Sequence, residues 1–562
     1  MGDVPVKRIL AAFFCAALLL LAAGCGGQRA QTLRAQLAEE PATLDPQIAR
    51  GSDAATLISA LYEGLCRLDA DGKAQPGAAQ SWESNAAHTQ FTFHLRADAV
   101  WNGNVAALTD DGADEGAPTP VTAADFVFAW QRALDPATGS STCGPLLCIQ
   151  NAAAIRAGQK QPGELGVSAP DSRTLVVNLA RACPDFPEQT ASAPCMPCNR
   201  DFFDATAGQY GMERAAILGN GPFSMKPYGW THGERITLLR AEDYRGAQAA
   251  VPSALSFTIG AVTVDADMAG APSATEASGS SAPVSSGVPQ QALGAVEALA
   301  GGQLDAAPLP AGSVQEAKDA GLDVAVFTDT TWGLCFNASG KFQSAGLRSA
   351  FLQALDRDAL MGLLPAGTTP AEDILPPDTR FNGENYRAQA GGGFYMRASA
   401  GAAQGYGAQD TQGFKMTLLC TPAAKPLASQ MLADWNAAFH AYFSLEAVSE
   451  EDLYARVCAG DYDAALYPLT PDAADAGTAL SSFLSGQHTG PALLQDSAFD
   501  QLLASATTAG QLAAAEKYLC DNAVFYPLYY ASHAYATAGG IKGVVRHGFN
   551  GGMDFRQAAA AQ

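Results

Sequence analysis

The stretch VTAADFVFAWQRALDPATG, Val121 to Gly139, decides the reading of this chain. Thr122 and Asp125 stand in capping-box spacing, with Asp in place of the usual Glu, so Thr122 can accept from a free amide of the first turn. A helix is therefore expected to begin at Ala123. Val127, Trp130 and Leu134 recur at the 3.6-residue period while Gln131 and Arg132 face away. Asp135-Pro136 ends the run, because the residue before a proline avoids the α region. Alone, this is an amphipathic helix packed on a core, such as any globular protein carries.

Its neighbours make it diagnostic. Upstream stand Leu44-Asp45-Pro46, Tyr62-Glu63-Gly64-Leu65, Pro76, Ser81-Trp82-Glu83 and FTFHLRADAVWNG from Phe91 to Gly103. Downstream come GNGPFSMKPYGWTHGERITLLRAEDYRG (Gly219 to Gly246), GGQLDAAPLP (Gly301 to Pro310), LRSAFLQALDRDAL (Leu347 to Leu360), GDYDAALYP (Gly460 to Pro468) and AEKYLCDNAVFYPLYY (Ala515 to Tyr530). In this order the set closely resembles the oligopeptide-binding (family 5) lipoproteins, the extracytoplasmic solute-binding proteins of bacterial ABC importers.

The resemblance implies an α/β protein of the two-lobed periplasmic-binding-protein type II fold, with mixed sheets flanked by helices and an extra inserted domain. Lobe I is expected over residues 30–62, 219–308 and 528–558, the extra domain over 63–218 and lobe II over 309–527. Two crossings, near Ala307 to Pro310 and Phe525 to Tyr530, would join the lobes and permit hinge closure around a ligand.

Composition agrees with a large globular protein. At 562 residues the chain exceeds one ordinary core, and 48% hydrophobic with 16% charged residues suits folded domains. A formal charge of −23 excludes nucleic acid as a partner, since phosphate binding depends on clustered Lys and Arg. At the N-terminus, Lys7 and Arg8 precede an apolar run from Ile9 to Ala23, shorter than the roughly 20 residues of a membrane span. Residues 1–24 read as a signal peptide. Ala22-Ala23-Gly24-Cys25 resembles a lipobox, which implies lipidation of Cys25, membrane anchoring and a short tether through residue 32.

Two insertions depart from the family pattern. Residues 106–118 carry Asp110, Asp111, Asp114 and Glu115, whose spacing is not that of an EF-hand and suits a solvated acidic loop. Val262 to Val288 is Ala-, Ser-, Gly- and Pro-rich, too poor in bulky residues to offset its ordering entropy, and is expected as a flexible insertion. Gly391 to Gly413 reads as a long surface loop.

Catalysis has no sequence support. No GxSxG elbow, HExxH pair, P-loop or dinucleotide fingerprint occurs, and the seven histidines show no metal-ligand spacing, so neither a cofactor, a metal nor an enzyme is expected. Of twelve cysteines, Cys195-Met-Pro-Cys198 has redox or zinc spacing without a second CxxC. Cys143, Cys148, Cys183, Cys195 and Cys198 all fall in the expected extra domain, where disulfides are permitted after export, with the pairing left open.

Ligand-facing residues follow from the resemblance. It puts the loop Arg50, Gly51 and Ser52 against the ligand; Arg50 meets a ligand carboxylate or stays solvated or paired. It puts the acid that captures a peptide's α-amino group on Asp472, with Asp475 a close competitor, and Leu469 where the family has tryptophan. Trp332 either stacks on ligand or packs in the core. The expected function is capture of oligopeptides by a monomer for an ABC permease and ATPase. Alternatives are the same fold binding a nickel chelate, haem, an opine or a sugar, a ligand-sensing receptor lipoprotein without transport, or a secreted hydrolase.

Overall fold

Thr32–Leu37 (β1) alternates polar and apolar side chains, and Leu33, Ala35 and Leu37 are buried, as a strand covered on one face requires. It lies within one long mixed sheet of a computed structural model that describes residues 31–109, 116–246, 249–265, 290–310, 312–395, 414–487 and 490–561. The helix Gly51–Leu61 (α1) follows β1, and Ala123–Leu134 (α2) lies in the intervening domain. The long sheet's main path continues with Phe223–Thr231 (β2), Arg235–Arg240 (β3), Ala254–Ile259 (β4), Ala306–Leu309 (β5), Asp323–Phe336 (β6), Thr417–Cys420 (β7), Ser444–Ala447 (β8), Ala464–Leu469 (β9) and Phe525–Thr537 (β10), and the short Thr369–Pro370 pairs with β10 off that path. Their spatial order is β8-β7-β9-β6-β10-β5-β1-β4-β3-β2. β1 runs parallel to β4 and β5, and β7 parallel to β8 and β9; β6 and β10 are antiparallel.

Two large cores sit along this sheet, with a small third cluster of Leu299, Ala307, Leu309, Ala534 and Ala536 at β5. One gathers Leu33, Leu57, Trp101, Trp130, Phe223 and Phe257 with Ile541, Met553, Phe555 and Ala558; the other gathers Leu334, Phe351, Leu418, Trp435, Leu466 and Tyr526. The long strands β6 and β10 pass from one to the other. Asp323–Phe327 pairs with His533–Thr537 and Thr330–Cys335 with Phe525–Ala531, with a register shift between Phe327 and Thr330. At that shift the Asp378 carboxylate accepts from Thr328 N (2.6 Å), and Asp329 accepts from Phe549 N (2.6 Å) and meets His533 Nδ1 (2.6 Å). The expected crossing at Ala307–Pro310 is corrected by this pairing. β5 still pairs with Ala534–Thr537 on the first core's side, and the chain changes core within β6.

A second sheet belongs to the first core: Ala79–Ser84, Gln90–Leu95, Thr174–Asn178 and Val167–Asp171, all antiparallel, in that spatial order. Its Phe91 and Phe93 pack on Phe186, which meets Trp130 edge-on. α2 has the bounds its spacing predicts, and the Asp125 carboxylate accepts from Thr122 N (2.7 Å) and Oγ1 (3.0 Å). Its buried stripe is Phe126, Ala129, Trp130, Ala133 and Leu134, with Val127 half-buried. Arg132 does not face away. Its guanidinium pairs with Asp45 (2.7 and 2.5 Å) and also reaches Gln47.

Val262–Asp265 pairs with Gln290–Leu293, bracketing residues 266–289, which lie outside the described residues with residues 1–30, Cys25 among them, and 110–115. From the Gly391–Gly413 stretch, Phe394 and Tyr395 are buried in the second core, and residues 396–413 lie outside the described ones. Among the described residues no helix is long and apolar enough to cross a membrane.

Candidate functional site

A cavity of about 640 Å³ lies between the two cores. Its wall comes from Gly51, Ile58 and Ser59 of α1 with Tyr62 just beyond it, the hairpin residues Arg67 to Lys73, the segment Asp185 to Met196, Val326 and Phe327 beside the register shift, Asp378, Arg380 and Asp472–Asp475 of the second core, and His547 to Arg556. A concave site of this size between mobile bodies is where a small solute is held.

Local chemistry fixes the wall. The loop before α1 is pinned from behind, because Asp45 accepts from Gln47 N (3.1 Å) and pairs with Arg132. Gly51 then starts α1 at φ +81°, a left-handed conformation that a β-carbon would strain. Glu63, at the end of the same helix and 2% exposed, accepts from Arg96 (3.0 Å), Arg556 (3.0 Å) and Tyr244 (2.6 Å). Three landmark motifs thus converge on one carboxylate. The motifs of Glu63, Arg96 and Tyr244 were visible in the sequence, but their meeting was not, and Arg556, in no such motif, lies 493 residues from Glu63.

Asp472 follows β9 and faces the cavity. It accepts one backbone hydrogen bond, from Gly144 N of the opposite lobe (3.1 Å). Burial raises its carboxyl to about 6, against the lowering pull of the Gly144 N–H and the Arg50 charge. A β-carbon on Gly144 would lie 2.6 Å from Asp472 Oδ2, so this approach needs glycine. Of the residues singled out from sequence, Gly51, Asp472 and Asp475 line the cavity together. Arg50 reaches across the cleft and stacks over the Tyr454 ring at 4.1 Å. Ser52 is turned into the fold, its carbonyl accepting from Thr56 Oγ1 (2.7 Å) and its hydroxyl bonded to Tyr535. Trp332 stacks on Tyr529 across the β6–β10 ladder, centroids 5.8 Å apart at 10°. Leu469 is buried in the second core opposite Thr331.

Asp475 is committed elsewhere. It caps the helix Ala476–Ser481 by accepting from Thr478 N (2.7 Å) and pairs with Arg181 of the first lobe (3.3 Å), both side chains under 10% exposed. Beside it, Thr478 Oγ1 donates to Gln189 Oε1 (3.2 Å). Asp185 accepts from Gly383 N (3.0 Å), and Arg380 donates to the Asp71 carbonyl (3.0 Å). Contacts from both lobes therefore meet around the rim, and the cleft is closed. Sequence reading missed Arg181 and Gln189, since neither carries a local motif.

Cys195 and Cys198 are both buried but do not act together: Trp130 Nε1 donates to the Cys195 carbonyl (3.0 Å), while the Cys198 thiol lies by Arg132 and Tyr210. Among the described residues no group of three or more His, Cys, Asp or Glu side chains is placed to hold a metal.

The chain resembles several characterised proteins. It is 36% identical over 220 residues to the probable deoxycholate-binding periplasmic protein YgiS of Escherichia coli, covering 39% of this chain and 38% of that one. It is 35% identical over 189 residues to the periplasmic oligopeptide-binding protein OppA of Haemophilus influenzae, covering 33% and 32%. The matched stretch thus spans less than half the length of these curated relatives. Among solved structures, the substrate-binding domain of an oligopeptide ABC transporter from Bacillus anthracis superposes with a TM-score of 0.70 at 22% identity over 95% of this chain and 99% of that one. The Escherichia coli murein tripeptide-binding protein MppA gives 0.69 at 23% identity, covering 95% and 99%, and its unliganded open form only 0.57, covering 95% and 98%. The fold is therefore that of the two-lobed binding proteins. The model of the bacterial extracellular solute-binding proteins, family 5 middle, matches residues 73–491, and the chain belongs to that family.

Proposed function

We propose that this protein captures oligopeptides in the cleft and delivers them, unaltered, to the permease and ATPase of an ABC importer, acting as a monomer anchored by acyl chains on Cys25. The observation that carries the reading is Asp472: a desolvated carboxylate on the wall of a closed interlobe cavity, with one backbone N–H and the field of Arg50 as its local support. A peptide's α-ammonium group supplies the opposite charge and the donors that such a carboxylate takes. Relatives whose printed names say oligopeptide-binding support the same class.

Lobe closure would bury the peptide and form the surface that a permease reads. Native mass spectrometry after mild purification tests the ligand class. A spread of co-purified peptide masses is expected; a single steroid-sized mass, a nickel chelate or uniformly unloaded protein overturns the reading. For the anchor, Cys25→Ala should release the protein from membranes, and unchanged retention counts against lipidation.

A further inference from the structure

Ten cysteines lie among the described residues, and two of them share one partner. Cys148 and Cys183 are each 2% exposed and sit on adjacent passages of the inserted domain. Ile149 bridges Leu179, and Ala180 N donates to the Cys148 carbonyl (2.8 Å), so the chain from Leu179 onward runs beside the chain around Cys148. The Gln189 amide touches both sulfurs: its Oε1 lies 3.9 Å from Cys148 Sγ, whose thiol proton it shares with the Pro145 carbonyl (3.5 Å), and its Nε2 donates to Cys183 Sγ (3.1 Å). The Cys148 sulfur and burial together hold the Cys183 thiol well above its ordinary value.

The other thiols nearby keep different company. Cys195 Sγ accepts from Ser192 Oγ (3.5 Å) and has Cys148 and Cys143 only as electrostatic neighbours, Cys143 lies toward Arg156 and Asp472, and Cys198 lies against Arg132. Only the Cys148–Cys183 couple is joined through a single side chain among these.

We propose that Cys148 and Cys183 form a disulfide in the exported protein. A family of extracellular proteins folds where thiols are oxidised. The oxidant is a disulfide-bearing thiol donor of that compartment. One cysteine thiolate attacks the donor's S–S bond and expels one donor thiol; the second cysteine thiolate attacks the mixed disulfide and expels the other. Two cysteine sulfurs are oxidised and two donor sulfurs reduced, and the two cysteine protons end on the donor thiols. Burial disfavours the Cys183 thiolate in the finished domain and both sulfurs are enclosed there, so the exchange belongs to folding. The bond would tie the segment bearing Gln189, and with it the Thr478 contact across the cleft, to the body of the inserted domain. This holds whatever the cleft binds.

The test uses full-length exported protein, denatured in acid without reductant, tagged with N-ethylmaleimide and digested for mass spectrometry. The Cys148 peptide is expected linked to the Cys183 peptide, two hydrogens lighter than their sum. Tags on both cysteines, or a link from either to Cys143 or Cys195, overturn the proposal. Reductant should also lower the melting midpoint of the wild type and leave that of a Cys148→Ser, Cys183→Ser double variant unmoved. An equal response of both overturns it too.

Discussion

Asp472 and Asp45 are both buried or half-buried acids in loops, yet they act oppositely. Asp45 is matched in full by Arg132, whereas Asp472 has a single N–H. Removing the guanidinium with Arg132→Ala leaves a buried charge uncompensated and should cost about 3–5 kcal/mol, read as a lower denaturation midpoint. Asp472→Asn should instead leave the ligand-free protein as stable or slightly more so, because its charge is disfavoured by burial. The same change should weaken peptides with a free α-amino group roughly ten- to hundredfold by titration calorimetry, while N-acetylated peptides bind both forms equally weakly. With the carboxyl raised to about 6, affinity for the free amine should also fall as pH drops through that value. The family resemblance, counted from Gly460-Asp461-Tyr462-Asp463, pointed to Asp472, and the residue does lie on the cavity wall. Arg132 was misjudged because a helical period assigns polar side chains to solvent, and nothing local announces a partner 87 residues away.

At the scale of elements, the helix Ala476–Ser481 is both capped and latched by one side chain, Asp475. Arg181→Ala keeps the cap but strands the acid in the closed form, where it is buried; in an open form water would solvate it. The substitution should therefore tilt the lobes apart. Small-angle scattering of the ligand-free variant should show a larger radius of gyration, and ligand release should speed up about tenfold, with most of the change in koff. A variant as compact as the wild type would remove Arg181 from the latch. Elements with local signals were readable: α2 by its cap and Asp135-Pro136, Gln90–Leu95 by its alternation. The lobe crossing was not, because its one local mark, the polar run Thr328-Asp329-Thr330-Thr331 inside Asp323–Phe336, gains its meaning only from the register shift against the neighbouring strand.

For the molecule as a whole, four acids, the buried Asp125 and the half-buried Asp53, Asp185 and Asp472, are each raised to about 6 from an ordinary 3.8. Between those values the folded form binds more protons than the unfolded one, so stability is greatest below the window and falls as pH rises through it. His533, raised by Asp329 and opposed by its own burial, adds in the same direction, lost as pH climbs past its folded value. His547, lowered by burial, works against them. The melting midpoint should be higher near pH 5.5 than at pH 8, and a flat or reversed profile would show that these acids are relieved in solution. The two-core plan has a consequence for biosynthesis. Ile541, Met553, Phe555 and Ala558 complete the core begun by Leu33 and Leu57, and Arg556 neutralises Glu63. A ribosome must therefore make every residue of the later lobe before the earlier one can finish folding. The half translated first waits longest, and a premature stop after Tyr530 would leave a well-made second lobe tied to an unfinished first.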